Sequence, residues 1–524
     1  MVHGVELILI LLAIVTVLAA IAERTFIPYP IFLVLGGLIL SLIPGVPSIE
    51  LDPEVVFVIF LPPILFAAGY STSWRDFRAN LRPISLLAVG CVFFTTCAVA
   101  VVAHAAIDEF SWGTAFVLGA IVAPPDAVAA TTVFQHLGVP RRIVTVLEGE
   151  SLVNDASALV AYRLAVVAVV TGGFSAVSAG VNFLIVAAGG IGIGVAAGWL
   201  VNRLVPRVGG TSVTITATLL APAAIFLLAE ELGVSGVLAT VVAGIIHGRR
   251  GSTVLDPLTR VRGTTVWDFI IFLINSLVFI LIGLQLRDVR ESLSEWSTGE
   301  LMVAALTVIV TVVVTRIIWV YPATYLPRLI PRIRASDPAP PWRYPAVIAW
   351  AGLRGVVSLA AALALPLHTD AGSPFPQRDL LIFLTFAVIL TTLVGQGLTL
   401  SPLVSWLGIA ADSTAGQEET LARRTAAHAA LVRIEQLEDQ DWFPRDIGGK
   451  MKSHYEHMLE HLPESLDPGE IDAEHISAHD QLRREVILAQ RLAVIDLRDR
   501  DIISDEALRR VERDLDLEEL RSDI

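Results

Sequence analysis

Apolar segments separated by short polar turns run from the N-terminus to about residue 407. Most of them hold roughly 18 to 25 mainly apolar residues, enough for a helix to cross a hydrocarbon core of about 30 Å. The pattern predicts thirteen helices, near residues 5–23, 29–45, 54–70, 83–106, 113–136, 142–170, 177–203, 211–230, 235–248, 265–286, 301–325, 345–367 and 379–407. The predicted fold class is therefore all-α, a polytopic membrane protein with about 13 transmembrane helices.

Arginines are distributed unevenly over the loops between these helices. If the helices alternate in direction, sixteen arginines fall on one side: Arg24, Arg75, Arg78, Arg82, Arg141, Arg142, Arg203, Arg207, Arg249, Arg250, Arg260, Arg262, Arg328, Arg332, Arg334 and Arg343. Arg287, Arg290 and Arg378 fall on the other. Because cytoplasmic loops are enriched in basic residues, we expect an odd number of spans, with the N-terminus outside and the C-terminus in the cytoplasm.

The composition separates an almost neutral membrane part from an acidic tail. The whole chain is 54% hydrophobic with a formal net charge of −14, and residues 411–524 alone hold 28 acidic against 15 basic residues. Amphipathic stretches in this tail predict a small helical cytoplasmic domain. We therefore expect a transmembrane domain over residues 1–410 and an acidic helical domain over 411–524, whose charge argues against a nucleic-acid partner.

Two predicted helices contain helix-breaking residues near their centres. The fifth reads "AFVLGAIVAPPDAVAATTVF" around Asp126, and the twelfth reads "AVIAWAGLRGVVSLAAALAL" around Arg354. Broken backbone is costly in lipid because its amides and carbonyls must find partners there. If the thirteen helices divide as six, one and six, these two are the fifth of each half and run in opposite directions. The pattern is typical of a transporter with two inverted six-helix repeats whose broken helices cross at the substrate site.

The segment "LEGESLVNDASALV" places three carboxylates, Glu148, Glu150 and Asp155, inside a membrane helix. An ionised group at the bilayer centre is costly, so such residues face protein or water. We expect Glu150 to form a structural ion pair with Arg354. Asp155 is expected to lack a fixed cation, because the buried acids outnumber the buried bases, and loss of water then favours its neutral form.

The neighbours of Asp155 suggest a small oxygen-lined site. Ser151 lies four residues before it and shares its helix face, whereas Glu150 shares a face with Asn154. Oxygens from Ser151, Asp155 and carbonyls freed around Pro125 would suit a hard cation such as sodium. Such an acid could hold either a proton or a cation. Glu148, two turns nearer the cytoplasm, either lines an inner funnel or is a solvated vestibule charge.

Four segments together resemble a known family. They are "GAIVAPPDAVAA", "LEGESLVNDASALV", "FLINSLVFILIGLQL" and "WAGLRGVVSLAAALALP". In this order and spacing they are similar to the bacterial sodium/proton exchangers of the monovalent cation/proton antiporter superfamily, in its sodium/hydrogen exchanger branch. The resemblance covers about residues 5–407. It implies exchange of sodium, or of lithium or potassium, for protons across the bacterial cell membrane, in pH and sodium homeostasis, with no cofactor.

The resemblance also assigns roles to single residues. It implies that Asp155 is the essential cation and proton site, Asn154 its motif partner and Ser151 a cation ligand, with Glu150 paired to Arg354. The Asn-Asp pair implies exchange without net charge movement. The family fold implies a homodimer of thirteen-span protomers in the lipid bilayer, each with a dimerisation domain and a core that moves like an elevator.

One departure from the family pattern affects the predicted ligand set. Many relatives have Thr-Asp-Pro where this chain reads Pro125, Asp126 and Ala127. Asp126 matches the family's acid in this helix, but the threonine hydroxyl is missing, so only the backbone carbonyl of Pro125 could serve as a ligand.

Two other classes of function fit the sequence less well than a transporter. A cation channel would leave the inverted broken helices unexplained, and the sequence has no repeated filter loop. A membrane-embedded enzyme would need a nucleophile with a base, or paired metal ligands, at the centre of the membrane. The predicted central set of Asp126, Glu150, Asp155 and Arg354 offers neither, and the tail shows no catalytic motif, which favours a regulatory or dimer-supporting role for it.

Overall fold

The computed structural model of the 524-residue chain describes residues 2–25, 28–43, 56–173, 176–285, 296–409, 414–440 and 442–461, with the single residues 293, 490, 493 and 511. Regular structure in this part of the chain is helical, and the β pairing found there is an isolated bridge between His368 and Pro374. The all-α prediction is confirmed at this level. The chain divides into two compact units, Met1–Asp412 and Ser413–Ile524.

The first unit is built from a succession of mostly apolar helices. They are α1 (Val2–Glu23), α2 (Tyr29–Ser41), α3 (Val56–Ser71), α4 (Trp74–Ala79), α5 (Leu81–Ala106), α6 (Trp112–Val122), α7 (Val128–Leu137), α8 (Arg141–Thr171), α9 (Ala176–Val208), α10 (Thr211–Glu231), α11 (Gly236–Val254), α12 (Pro257–Leu284), α13 (Thr298–Leu329), α14 (Pro331–Ser336), α15 (Arg343–Trp350), α16 (Val356–Leu363) and α17 (Arg378–Trp406). Seven helices of the described chain, α5, α8, α9, α10, α12, α13 and α17, are long and apolar enough to cross a membrane.

Both interrupted helices predicted from the sequence are broken in the structure. Residues 123–127 separate α6 from α7, and residues 351–355 separate α15 from α16. Pro124 and Pro125 account for the first break, because proline lacks an amide donor and its ring clashes with the preceding helical turn. The second break is centred on Gly352, where an added Cβ would collide with the side chain of Arg316.

The helices of the first unit pack in two groups. In one group α5 packs on α6 and α13, α8 packs on α6, and α16 packs on α17. In the other α2 packs on α12, and α11 packs on both α3 and α9. Glycine allows the closest of these approaches: a Cβ on Gly37 of α2 would lie 3.0 Å from the Cα of Gly283 on α12.

One carboxylate joins three elements at the end of the first group where the loops are rich in arginine. Asp337, just after α14, accepts hydrogen bonds from Arg82, from Arg142 at 2.6 Å and from Arg328 at 2.7 Å. Partial burial raises the pKa of the Asp337 carboxyl, but the bonds from Arg142 and Arg328 lower it more, so it lies below its ordinary value. The cluster ties α5, α8 and the end of α13 together.

The second unit contains two described helices, α18 (Thr414–Leu437) and α19 (Arg445–His461), which pack on each other. Ala427 and Ile434 are buried on α18. Apart from three single residues, the stretch beyond His461, where two further amphipathic segments were predicted, lies outside the described part of the chain.

Candidate functional site

The two helix breaks contact each other directly. The backbone amide of Asp126 donates to the carbonyl of Leu353 at 2.7 Å. The guanidinium of Arg354 donates from Nε to the carbonyl of Val122 at 2.9 Å, and from Nη1 to the carbonyl of Gly352. Val122 ends α6 and Gly352 follows α15, so one buried cation satisfies carbonyls released at both helix C-termini, where the helix dipole is negative.

The opposite side of the crossing holds two helix N-termini and an acid. A carboxylate oxygen of Asp126 accepts from the backbone amide of Val128, in the first turn of α7, at 2.9 Å. Asp126 also lies against the start of α16, because a Cβ added to Gly355 would overlap its carboxylate. A negative charge between two N-termini is favourable. Asp126 therefore stabilises the crossing itself.

The predicted ion pair between Glu150 and Arg354 is wrong. Glu150 instead accepts two hydrogen bonds from Arg316, from Nη1 to Oε1 at 2.6 Å and from Nη2 to Oε2 at 2.8 Å. Glu150 and Arg316 are each 1% exposed. Such a bidentate, fully desolvated pair is geometrically strong and joins α8 to α13.

Two physical reasons explain the different partner. The sequence placed Arg316 near the end of a helix predicted over residues 301–325, and the α-helical part of α13 does end at Tyr325. Arg316 nevertheless lies about 14 Å from Tyr325, at about 1.5 Å per residue, and is buried inside the helix packing. Arg354, in turn, is occupied by the carbonyls of the helix breaks, a demand that counting charged residues does not reveal.

Asn154 connects α8 to the first break. Its side-chain amide donates to the carbonyl of Pro125 at 2.6 Å, and its own Oδ1 is buried with no hydrogen-bond partner in the described structure. The carbonyl predicted as a cation ligand is thus already an acceptor for Asn154. It keeps a second lone pair, since a carbonyl oxygen can accept two bonds.

A cavity of about 160 Å³ lies beside the crossing and between the two groups of helices. Four of the acids and hydroxyls predicted from the sequence line it together: Asp126, Glu148, Ser151 and Asp155. Pro125 also lines it, whereas Asn154, Glu150 and Arg354 do not.

Asp155 differs from the other central acids in its surroundings. It is 8% exposed, and its carboxylate makes no hydrogen bond or ion pair with any other residue that the structure describes. Ser151, one turn away, accepts a long contact of 3.5 Å from the amide of Ala127. Asp155 is therefore a carboxylate that opens onto a cavity without a fixed cation beside it.

Other polar residues around the cavity were missed by the sequence reasoning. They are Ser71 on α3, Thr131 on α7, Asn275 on α12 and Ser358 on α16. Asn275 belongs to "FLINSLVFILIGLQL", a segment used for the resemblance but given no role, and Ser358 follows the Gly355 break by three residues. Single polar residues in apolar helices were the available signal, and only packing shows which of them face the cavity.

A larger cavity of about 600 Å³ adjoins the first. Both are lined by Ile64, Ala68, Ser71, Val128, Thr131 and Asn275. The larger one extends to Thr259 and Arg260 at the start of α12, and to Thr214 near the start of α10. These are helix ends next to the arginine-rich loops. The cavity beside Asp155 thus adjoins a vestibule on that side.

Comparison with known proteins shows which family this chain matches. Residues 9–406 match the family described as "Sodium/hydrogen exchanger, transmembrane". The chain is 36% identical to an uncharacterised Na⁺/H⁺ exchanger of Mycobacterium tuberculosis, over 99% of this chain and 96% of that one. It is 35% identical to the sodium, potassium, lithium and rubidium/H⁺ antiporter of Bacillus pumilus, over 76% of this chain and 61% of that one.

The fold is also similar to a solved structure. The sodium proton antiporter MjNhaP1 from Methanocaldococcus jannaschii superimposes with a TM-score of 0.60 at 18% identity, covering 78% of this chain and 99% of that one. The fold is therefore that of this antiporter structure, and the family match makes the chain a multi-pass membrane protein of a transporter family. The chain belongs to the sodium/hydrogen exchanger family, which confirms the resemblance drawn from the four sequence segments.

Proposed function

We propose that this protein exchanges one sodium ion for one proton, without net charge movement, through the carboxylate of Asp155. The observation that carries the proposal is the placement of Asp155, which lines the cavity beside the crossing and has no fixed cation among the described residues. Carboxylate and hydroxyl oxygens are suitable ligands for a hard cation. Ser151 and a free lone pair of the Pro125 carbonyl would complete the oxygen set, with Asp126 beside them.

The one-for-one stoichiometry follows from the other central acids being engaged. Glu150 is neutralised by Arg316, and Asp126 is held between two helix N-termini. Glu148 also lines the cavity but lies two turns from Asp155 along α8, so we take Asp155 as the exchangeable charge beside the crossing. With either a proton or one monovalent cation bound it is locally neutral, whereas the empty carboxylate is costly to carry across the bilayer. Only the two loaded forms would move, so net charge would not cross.

The cavity's position supports alternating access by relative motion of the two helix groups. Its polar wall comes from α7, α8 and α16 in one group, and from α3 and α12 in the other.

We propose thirteen spans in two inverted repeats, with the first group as a moving core and the second in a dimerisation domain of a homodimer. The Asp337 cluster would keep the core rigid. The cavity opens toward the arginine-rich side. With the N-terminus outside, this conformation corresponds to an inward-facing state.

Sodium is the favoured cation, with potassium or lithium as alternatives. The Bacillus pumilus relative is named for sodium, potassium, lithium and rubidium, so a broader selectivity is the second candidate for this chain. We place the protein in the bacterial cell membrane with a role in sodium and pH homeostasis. The acidic residues 411–524 would form a cytoplasmic domain with a regulatory or dimer-supporting role.

Proteoliposomes that hold the purified protein and a pH-sensitive dye test this function. An inward sodium gradient should drive proton efflux, and the rate should not change when valinomycin and potassium set the membrane potential to different values. A rate that follows the potential would contradict electroneutral exchange, and proton flux without any dependence on an alkali cation would contradict exchange altogether. Comparing sodium, lithium and potassium gradients decides the ion.

A further inference from the structure

One hydroxyl beside the cavity has no partner. Ser358 is the third residue of α16, is 1% exposed and lines the cavity together with Ser151 and Asp155. Its Oγ is buried and makes no hydrogen bond within the described part of the chain. Leaving a buried hydroxyl without a partner is unfavourable, so we expect a species bound in the cavity to interact with it.

The usual solution for a helical serine is not used here. Thr131, Thr385 and Thr392 in nearby helices, like many of the other described hydroxyls, donate to a carbonyl three or four residues earlier. Ser358 makes no such bond, and it lies in the first turn of α16, directly after the break. The hydroxyl therefore stays available to a species that enters the cavity.

Several oxygens in the cavity wall are already engaged in hydrogen bonds. The Pro125 carbonyl already accepts from Asn154, and one Asp126 oxygen accepts from Val128. The described oxygens with no strong bond include the carboxylates of Asp155 and Glu148 and the hydroxyls of Ser151 and Ser358. Glu148 lies two turns from Asp155 along α8, so the oxygens nearest the crossing in sequence are those of Ser151, Asp155 and Ser358. Ser151 and Asp155 lie on α8, whereas Ser358 lies on α16, which is the second half of the other broken helix.

We propose that Ser358 Oγ is a ligand of the transported alkali cation. This inference rests on the proposed function and extends it to a residue of α16. A bound cation would then link α8 to α16, the half-helix that follows the second break. Both helices would contribute ligands to the loaded site. A hydroxyl supplies a lone pair without adding charge, which leaves the one-for-one exchange at Asp155 unchanged.

The test compares Ser358→Ala with Ser358→Thr, which keeps the hydroxyl, and with Ser276→Ala. Ser276, on α12, is also fully buried with an unpartnered Oγ, but it lines neither of the two adjoining cavities. Ser358→Ala should raise the apparent KM for sodium about tenfold, as expected for one lost ligand, with little change in maximal rate. Ser358→Thr and Ser276→Ala should keep the wild-type KM.

A second readout separates ligand binding from folding. Sodium should raise the thermal unfolding temperature of the purified wild-type protein, and this shift should shrink in Ser358→Ala but not in Ser276→Ala. An unchanged KM and an unchanged sodium-dependent shift in Ser358→Ala would overturn the assignment while wild-type exchange stands. Absence of sodium-driven proton movement in the wild-type protein would instead overturn the proposed function.

Discussion

Asp155→Asn is expected to abolish sodium-driven proton exchange, lowering the rate by at least about 100-fold. Asparagine has nearly the same shape but can neither bind an exchangeable proton nor carry the charge that neutralises a cation. Because the Asp155 carboxylate makes no bond to another described residue, the substitution should leave the packing of α8 intact. The rate is measured with the variant in proteoliposomes under an inward sodium gradient.

The matched control is the same chemical change at Asp379. That residue lies in the first turn of α17, its side chain is 50% exposed, and it lines neither of the two adjoining cavities. Asp379→Asn should exchange at the wild-type rate. Exchange at a normal rate in Asp155→Asn, with Asp379→Asn also active, would show that Asp155 is not part of the transport site.

The second large effect concerns the buried pair of Glu150 and Arg316. Replacing Arg316 by Met leaves a desolvated carboxylate without its cation, which typically costs about 3–5 kcal/mol of folding free energy. We therefore expect a marked fall in the thermal stability of Arg316→Met in detergent, measured by fluorescence-detected size exclusion after heating. Neutralising both partners, as Glu150→Gln with Arg316→Met, should recover part of the loss. The remainder reflects the carbonyl of Ile348, to which Arg316 also donates at 3.1 Å.

A second double variant distinguishes the observed pair from the one expected from the sequence. Arg354 donates to the carbonyls of Val122 and Gly352, which remain in need of donors whatever residue stands at position 150. Glu150→Gln should therefore not rescue Arg354→Met. Rescue of Arg354→Met, together with no rescue of Arg316→Met, would show that Glu150 pairs with Arg354 after all.

The sequence predicted the features that depend on local chemistry. Pro124 and Pro125 cannot continue a helix, and the structure breaks there. Spacing along a single helix placed Ser151 on the face of Asp155, and both line the cavity. Family membership was predicted from four segments, and residues 9–406 match that family.

The features that the sequence did not predict depend on contacts between distant helices. The partner of Glu150 is set by how α13 lies against α8 and by how the carbonyls at the breaks are satisfied, and neither is visible in a list of charged residues. Ser358, Thr131 and Asn275 resemble other isolated polar residues in apolar helices. Thr131 and Ser358 reach the cavity wall through the crossing of α6–α7 with α15–α16, and Asn275 reaches it because α12, in the other group of helices, packs beside that crossing.

Competition between a proton and a cation at one carboxylate can be measured without transport. Purified protein in weakly buffered detergent solution, at a pH where the site holds a proton, should release one proton for each sodium ion bound. Asp155→Asn should release none. Sodium binding to the wild-type protein with no proton release, or equal release from wild type and Asp155→Asn, would contradict exchange at Asp155.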